Sequence, residues 1–409
     1  MEKISYLCHM IKEILTALMT LTVLAACHEY EEHKTVICIP VYGQSLALGE
    51  EAVRITDLDS LAVYASGRIV TENLDHRFGY FDNNTTYHLA KKLIHYHKRS
   101  FELTIYSMAK VLADSTGADT LICIFPGGQG TTPIASLQKG SVPYQHFLES
   151  VKTAYDHAKE RGWDFTMPAL CWMQGESDVA DSTTTDYRAL LLQFYRDINH
   201  DVRQITKQQE DVEFICYQTN PETWSPHFDP LAYHSREVIV PQTLLELVRD
   251  SAAFHASGPL YPYHFVREAI HIDAAGHRAH GRLVARAALD VMHSRKVRRG
   301  LLPLHASHTA NRVVVTFNVP CRPLVLDTIQ VRRAAHYGFS VVTKDHRDIA
   351  EDVILSDSCV HIICSESADS CRIRYAINGE QGKIGQAHGP RGNLRDVEGN
   401  WCWQFDMPL

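Results

Sequence analysis

The sequence predicts an α/β fold, a doubly wound and mostly parallel sheet, followed by a small C-terminal all-β domain. From residue 35 to about residue 297, short apolar runs alternate with long segments of helical spacing. That alternation is typical of parallel strands that helices cover on both faces. Past residue 298, only short β-branched runs separated by turn residues remain. We therefore expect one large domain over residues 35–297 and a β-rich accessory domain over residues 298–409.

Four nearly continuous apolar runs are predicted to be the parallel strands. They cover residues 35–41, 120–125, 167–172 and 212–217. The carboxyl ends of parallel strands share one edge of the sheet, and ligands of such folds bind beyond that edge. Residues that directly follow these runs are therefore the first candidates for a functional site.

The connecting segments have the apolar spacing of helices. Helices are predicted over residues 87–96, 144–161, 184–207, 236–249 and 273–292. In the C-terminal part, strand-like runs cover residues 313–317, 340–343 and 360–364. Successive strands joined by helices lie parallel, which supports the doubly wound arrangement.

Composition excludes some classes of protein. The 409 residues are 45% hydrophobic and 22% charged, which is typical of a folded protein with a sizeable core. The formal net charge of -8 argues against binding of nucleic acid, because phosphate contacts need clustered Lys and Arg. The short basic run at residues 295–299 is interpreted as a solvated helix end or linker.

The N-terminus has the features of an export signal. Residues 14–26 form an apolar run of 13 residues, whereas a helix needs about 20 to cross a bilayer. The run ends in Leu-Ala-Ala-Cys at 24–27, which resembles the lipobox of bacterial lipoproteins. This resemblance implies removal of residues 1–26, lipidation of Cys27, a tether over residues 27–34 and a place in the bacterial cell envelope. The alternative is a buried first helix.

The cysteines separate into two groups. Four lie in apolar runs and are expected to be buried as small hydrophobic side chains: Cys38, Cys123, Cys171 and Cys216. Five lie in the C-terminal part, where any disulfides of an exported protein are expected: Cys321, Cys359, Cys364, Cys371 and Cys402.

Three stretches at the ends of predicted strands, together with one histidine, carry the candidate chemistry. Gly-Gln-Ser occupies 43–45, a glycine-rich segment covers 127–132, and Gln-Gly-Glu-Ser-Asp occupies 174–178. His271 directly precedes the last predicted helix of the large domain. Ester hydrolysis needs an activated hydroxyl, a base and donors for the oxyanion, and these residue types supply all three.

These stretches resemble the blocks of SGNH (GDSL-like) hydrolases, within the branch of sialate O-acetylesterases and acetylxylan esterases. Where that branch has G-Q-S-N, G-G-T-x-I and W-x-Q-G-E-S-[DN], this chain has GQSL at 43–46, GTTPI at 130–134 and WMQGESD at 172–178. The resemblance spans about residues 35–297 and implies a flavodoxin-like sheet. Three positions depart from the family pattern: Leu46 replaces Asn, Thr131 replaces Gly, and Glu268 stands where Asp is usual.

The resemblance implies a role for each residue type. Ser45 is the expected nucleophile and His271 the expected base. The oxyanion hole is expected to consist of the Ser45 backbone N–H, the Gly130 N–H and the side-chain amide of Gln174. Two carboxylates are open as the partner that orients His271, namely Glu268 and Glu176, and Glu176 is expected to matter more.

Other histidines are less suitable as the base. Literal Asp-x-x-His patterns end at His200 and His293, but His200 lies inside a predicted helix. His293 lies near the far end of the last one, roughly 24 Å from its start. His271, Asp273, His277 and His280 together form a conceivable metal set, but the chain contains no H-E-x-x-H motif. We interpret His277 and His280 as polar helix positions and expect neither a metal nor another cofactor.

The predicted function is therefore an exported, lipid-anchored carbohydrate O-acetylesterase that acts on an acetylated glycan. Which glycan carries the acetyl group stays open. One alternative is a non-catalytic glycan-binding lipoprotein that retains the fold. Another is an acyl-lipid or thioester hydrolase, which would need a deep apolar pocket. The sequence implies no protein partner, no nucleic acid, and membrane contact through the lipid anchor only.

Overall fold

A computed structural model describes residues 12–13, 33–53, 68–71, 88–89, 102–180, 186–221, 223–225, 228–232, 238–294 and 299–409. The signal-like run at 14–26 and Cys27 lie outside these residues, and so does the predicted domain boundary at 297/298. Among the described residues, no helix combines the length and the hydrophobicity that crossing a bilayer requires.

Three strands at the centre of the large domain are each interrupted and continue as a second segment. Their halves are β1 (Thr35–Cys38) and β2 (Val41–Gly43), β5 (Thr120–Cys123) and β6 (Pro126–Gly128), and β7 (Asp164–Thr166) and β8 (Ala169–Met173). Pro40 interrupts the first strand because it has no N–H to donate. Backbone hydrogen bonds from Ile39 N to Cys123 O (2.9 Å) and from Cys171 N to Pro40 O (2.9 Å) keep the halves in one sheet.

The sheet has the strand order of a doubly wound fold. The remaining strands are β3 (Ile69–Thr71), β4 (His88–Leu89), β9 (Glu213–Gln218) and β10 (Phe254–Pro259). Across the sheet the order is β4, β3, β5/β6, β1/β2, β7/β8, β9, β10, and every pair is parallel except β3 with β4. The strand β1/β2 is therefore central, with β5/β6 and β7/β8 on either side, which confirms the predicted fold class.

Six α-helices have bounds within the described residues. They are α1 (Thr104–Ser115), α2 (Val142–Glu160), α3 (Glu176–Ala180), α4 (Tyr187–Thr206), α5 (Ile239–Asp250) and α6 (Ala274–Ser294). Four of the five predicted helices are confirmed as α2, α4, α5 and α6. The helix predicted over 87–96 is wrong at residues 88–89, which form β4, and its other residues lie outside the described ones.

Helix α1 was not predicted from the sequence, although it has a clear signal. Ile105, Met108, Ala109 and Leu112 recur with helical spacing, and all are buried. The helix packs against α6 where a Cβ on Gly281 would lie 2.0 Å from Ser107 Oγ and 2.2 Å from the Thr104 carbonyl oxygen. Only glycine permits so close an approach of the two helices.

The helices cover both faces of the sheet. One buried cluster joins α2, α4 and α5 to the sheet and includes Phe147, Phe194 and Leu244. A second cluster joins α1 and α6 to the opposite face and includes Met108 and Val291. Burial on both faces explains why the strands are apolar at nearly every position.

The C-terminal part is all-β, as predicted. Its strands are β11 (Leu302–Thr309), β12 (Arg312–Asn318), β13 (Leu324–Leu326), β14 (Phe339–Val342), β15 (Ala350–Leu355), β16 (Cys359–Cys364), β17 (Arg372–Tyr375), β18 (Leu394–Asp396) and β19 (Phe405–Pro408). They form three antiparallel sheets, ordered β11-β12-β16-β15, β13-β18 and β14-β17-β19.

Buried hydrogen bonds join this part to the large domain. Gln218 Nε2 donates to Gln404 O (2.8 Å), and Gln404 N donates to Gln218 Oε1 (2.7 Å). Tyr261 Oη donates to Cys402 O at 2.9 Å. These partners are fully buried, so water does not compete for the hydrogen bonds between the two parts.

The four cysteines of the apolar runs are buried, as predicted. None of the nine cysteines of the described residues forms a disulfide, including the five of the C-terminal part.

Candidate active site

The loop after β2 presents Ser45 at the carboxyl edge of the sheet. β2 ends at Gly43, where a Cβ would lie 1.8 Å from the Met173 carbonyl oxygen, so the close approach of β2 and β8 requires glycine. Turns then fold the chain back, with Leu48 N and Glu50 N donating to Ser45 O at 3.1 and 3.0 Å. This local fold brings Glu51 to the same side as Ser45.

His271 lies in the turn before α6 and contacts Ser45. Its Nε2 is 2.8 Å from Ser45 Oγ, so the structure brings the predicted nucleophile and base together. Burial lowers the pKa of His271 below its usual 6.5, an effect that the carboxylate of Glu50 opposes and the guanidinium of Arg267 reinforces. A neutral imidazole is the form that can accept the serine proton.

The carboxylate that contacts the other ring nitrogen is Glu51, which the sequence analysis missed. Its Oε2 lies 2.9 Å from His271 Nδ1. Because an ionised carboxylate only accepts hydrogen bonds, Nδ1 carries the hydrogen and Nε2 faces Ser45 with its lone pair. The other oxygen of Glu51 pairs with the guanidinium of Arg267. The only signal in the sequence is a pair of acidic residues a few positions after the serine, which matches no family block.

The prediction that Glu268 orients His271 is wrong. Its Oε2 lies 2.7 Å from Lys383 Nζ in the C-terminal domain, and this hydrogen bond lowers the pKa of Glu268. Arg267 and Glu268 have φ of 57° and 51°, the left-handed region that non-glycine residues seldom occupy. This turn directs Arg267 toward Glu51, while Glu268 pairs with the C-terminal domain.

The prediction for Glu176 is wrong as well. Its carboxylate accepts a hydrogen bond from the Tyr217 hydroxyl rather than from His271. Burial raises the pKa of Glu176 to about 7, since little water reaches the carboxylate.

Residues 174–178 form hydrogen bonds that support the loop carrying Ser45. Gln44 Oε1 accepts from Gly175 N (3.3 Å) and Ser177 N (3.2 Å). Gln174 is fully buried, and its amide nitrogen donates to the Asp178 carboxylate and to Thr132 O. Asp178 also accepts from Ile134 N at 2.9 Å. The Gln174 amide therefore does not lie in the cavity beside Ser45, contrary to its predicted place in the oxyanion hole.

Gly130 lies beside Ser45, as its predicted role requires. A Cβ on Gly130 would be 3.8 Å from Ser45 Cβ. Thr132 Oγ1 donates to Gly130 O at 3.0 Å and so fixes the loop. The backbone N–H groups of Ser45 and Gly130 remain the candidate oxyanion donors.

An open cavity of about 680 Å³ lies over the Ser45–His271 pair. It is lined by Ser45, Glu50, Glu51, Gln129, Gly130, Thr131, Arg267, Ala269, Ile270 and His271. Most of these residues are polar, and the apolar side chains among them are Ala269 and Ile270. Such a lining suits a polar substrate better than a long acyl chain.

Among the histidines of the described residues, only His271 lines this cavity. His200 lies within α4, and His293 Nδ1 lies 3.1 Å from Leu289 O within α6. His277 and His280 lie within α6, as predicted, and both are fully buried. His277 Nδ1 lies 2.9 Å from Thr104 Oγ1, and burial lowers the pKa of both rings to about 3. Within the described residues, no three His, Cys, Asp or Glu side chains are placed to hold a metal ion.

Residues 42–290, more than half of the chain, match the model of a family described as carbohydrate esterase, sialic acid-specific acetylesterase. No match was found among curated proteins.

Several solved structures are similar to this chain. XAC1771, a carbohydrate acetylesterase from Xanthomonas citri, is 16% identical, with a TM-score of 0.65 over 91% of this chain and 80% of that one. That coverage includes most of the C-terminal β region, so the likeness extends to the fold of both parts. A protein from Arabidopsis thaliana is 15% identical, with a TM-score of 0.46 over 63% of this chain and 99% of its own. NanS is 14% identical, with a TM-score of 0.45 over 64% of this chain and 98% of its own.

Proposed function

Because the chain belongs to the carbohydrate esterase family of sialic acid-specific acetylesterases, we propose that it is a serine carbohydrate O-acetylesterase. The observation that carries the proposal is the line of hydrogen-bond contacts from Ser45 Oγ through the His271 ring to Glu51, at 2.8 and 2.9 Å. A nucleophile, a base and a carboxylate in this order are recognised by geometry rather than by sequence position.

In the first half of the reaction, Ser45 Oγ attacks the acetyl carbonyl carbon while His271 Nε2 takes the hydroxyl proton. Glu51 accepts the hydrogen bond from Nδ1–H, which fixes the tautomer and stabilises the imidazolium. The backbone N–H groups of Ser45 and Gly130 hold the oxyanion. The C–O bond to the sugar then breaks, and His271 gives its proton to the departing sugar hydroxyl.

In the second half, water attacks the acetyl-serine ester as His271 takes one of its protons. The ester bond to Ser45 breaks, the proton returns to Ser45 Oγ, and acetate leaves. The enzyme is then in its starting state, so each turnover consumes one water and one acetyl ester.

The cavity supports a sugar acetyl ester over the two alternatives. A lipid or thioester hydrolase would need a long apolar channel, whereas polar side chains dominate the lining here. A non-catalytic binding protein would have no need for a serine hydroxyl held 2.8 Å from an imidazole nitrogen.

The test is acetate release from a panel of acetylated glycans, including acetylated sialic acid and acetylxylan. p-Nitrophenyl acetate and longer-chain p-nitrophenyl esters are assayed beside them, with Ser45→Ala as the matched control. We expect release from at least one glycan and little turnover of long acyl chains. Preference for long chains would favour the lipid hydrolase, and unchanged release by Ser45→Ala would exclude Ser45 as the nucleophile.

We further propose that the chain is exported and anchored through Cys27, on the basis of Leu-Ala-Ala-Cys at 24–27. Cells that express the full chain are labelled with a fatty-acid probe. Label is expected in the wild type and in Cys8→Ala, which changes only the segment to be removed, and is expected to be lost in Cys27→Ala. Label that persists in Cys27→Ala would contradict the proposal.

A further inference from the structure

We propose that residues 381–384 of the C-terminal domain, termed the docking segment, position the turn that carries His271, with Lys383 as the positioning residue. The C-terminal domain is then part of the esterase site rather than a separate glycan-binding module. The inference rests on the proposed function, since it assigns a role within the same site.

Two contacts of the docking segment converge on one residue of the turn. Lys383 Nζ lies 2.7 Å from Glu268 Oε2, and Ile384 N donates to Glu268 O at 3.0 Å. Glu268 comes three residues before His271, and Val266 N donates to His271 O at 2.8 Å across the turn. The docking segment therefore holds both the side chain and the backbone of the turn.

The other side of the docking segment is tied to the catalytic domain at the loop after β9. Gly382 N donates to Thr223 O and Thr223 Oγ1 donates to Lys383 O, both at 2.9 Å. Thr223 is fully buried. Because the segment is fixed on this side, Lys383 approaches Glu268 from a defined position rather than from a freely moving loop.

The turn is one that outside contacts must maintain. Arg267 and Glu268 are consecutive non-glycine residues in the left-handed region, an arrangement that persists only where surrounding contacts hold it. The same turn places the guanidinium of Arg267 against Glu51, whose other oxygen contacts His271. A line of contacts thus runs from Lys383 through Glu268, Arg267 and Glu51 to the imidazole.

This line of contacts predicts that the pH dependence of kcat/KM changes when the contact between Lys383 and Glu268 is lost. In the described residues, the charged and titratable groups that face His271 are Glu50, Glu51, Arg267 and His277. If the turn relaxes and Arg267 leaves Glu51, the carboxylate charge is no longer compensated and favours the imidazolium. The pKa of His271 then rises, and the acid limb of kcat/KM moves to higher pH.

The experiment is a charge swap in the full chain. Lys383→Glu and Glu268→Lys each place like charges together, whereas the double variant restores an opposite pair. p-Nitrophenyl acetate is the substrate, because it is too small to need a glycan-binding domain. Each single variant is expected to lower kcat by about tenfold or more and to shift the acid limb upward, and the double variant to recover most of both.

The matched control is Arg286→Glu, which also reverses an exposed cation between the two domains, at the Glu398 contact. It is expected to leave both kcat and the pH profile unchanged. Single variants with wild-type kcat and profile would overturn the inference. A loss of activity that the double variant does not restore, with an unshifted acid limb, would also overturn it, because that is the result of general destabilisation.

Hydrogen exchange separates this inference from the proposed function. If the wild type hydrolyses no ester, the proposed function fails, but exchange of the peptide over residues 264–272 still reports on the docking. Faster exchange in Lys383→Glu than in the wild type and in Arg286→Glu is the expected result. Equal exchange in all three proteins would overturn the role of Lys383.

Discussion

Two segments at the same edge of the sheet differ in how they serve the site. The loop of residues 44–51 lies under the cavity and presents Ser45 and Glu51 to His271. The block at 172–178, the closer match to its family pattern, is turned inward, and Gln174 bonds to Asp178 and Thr132. A motif match therefore locates an active site without showing which of its residues touch the substrate.

The largest expected effect concerns Ser45 of the first segment and the His271 ring that it contacts. Ser45→Ala and His271→Ala should each lower kcat by about 10⁴-fold or more, and the double variant should be little worse, because the pair acts as a unit. Thermal unfolding and acetate release are measured together. His200→Ala and His293→Ala are the controls, and a large loss in either would show that the base has been misassigned.

The next effect tests which carboxylate serves the base. Glu51→Gln should lower kcat by roughly 10²- to 10⁴-fold, because an amide can neither stabilise the imidazolium nor enforce the right tautomer. Glu176→Gln and Glu268→Gln, which keep their side chains away from the ring, should lose less. A greater loss at Glu176 than at Glu51 would reverse the assignment made from the 2.9 Å contact.

A smaller effect is expected in the inward-facing block. Removal of an oxyanion donor usually costs about 10²- to 10³-fold in kcat. If Gln174 has a structural role instead, Gln174→Leu should chiefly destabilise the fold, by about 1–3 kcal/mol. The buried carboxylate of Asp178 then loses one of its hydrogen-bond donors. Urea unfolding and kcat per folded molecule distinguish the two roles. A hundredfold loss of kcat at unchanged stability would restore Gln174 to the oxyanion hole.

The smallest effect concerns the pH dependence of stability. Folded His277 and His280 have a pKa of about 3, against 6.5 when unfolded, so the unfolded chain binds more protons between these values. The stability that the two neutral rings give the folded protein is fully present above pH 6.5 and is lost as the pH falls toward 3. At pH 5, each of the two histidines should lower the free energy of unfolding by roughly 2 kcal/mol relative to neutral pH. His280→Gln should flatten the fall in stability between pH 7 and pH 5, and an unaltered slope would contradict this account.

The fold was largely predictable because its signals are local. Apolar runs and helical spacing located four parallel strands and four helices, and β-branched runs located the β-rich C-terminal part. The failures have physical causes. Residues 88–89 pair with β3 despite helical spacing, because the edge of a sheet can recruit a short segment. His277 and His280 are polar helix positions that the tertiary fold buries, since His277 contacts Thr104 of α1 and His280 contacts Ser257 of β10.

The sequence by itself determined the α/β class, the edge of the sheet where the site lies, and Ser45 and His271 as the candidate pair. Only the tertiary structure decided which carboxylate meets the imidazole. Glu51 reaches His271 across 220 positions of the chain, and Lys383 draws Glu268 away from it. In the sequence, the carboxylate of Glu268, three residues before His271, is an equally good candidate for the partner of the imidazole. Its direction depends on backbone dihedral angles and on a distant domain, and neither is encoded in local spacing.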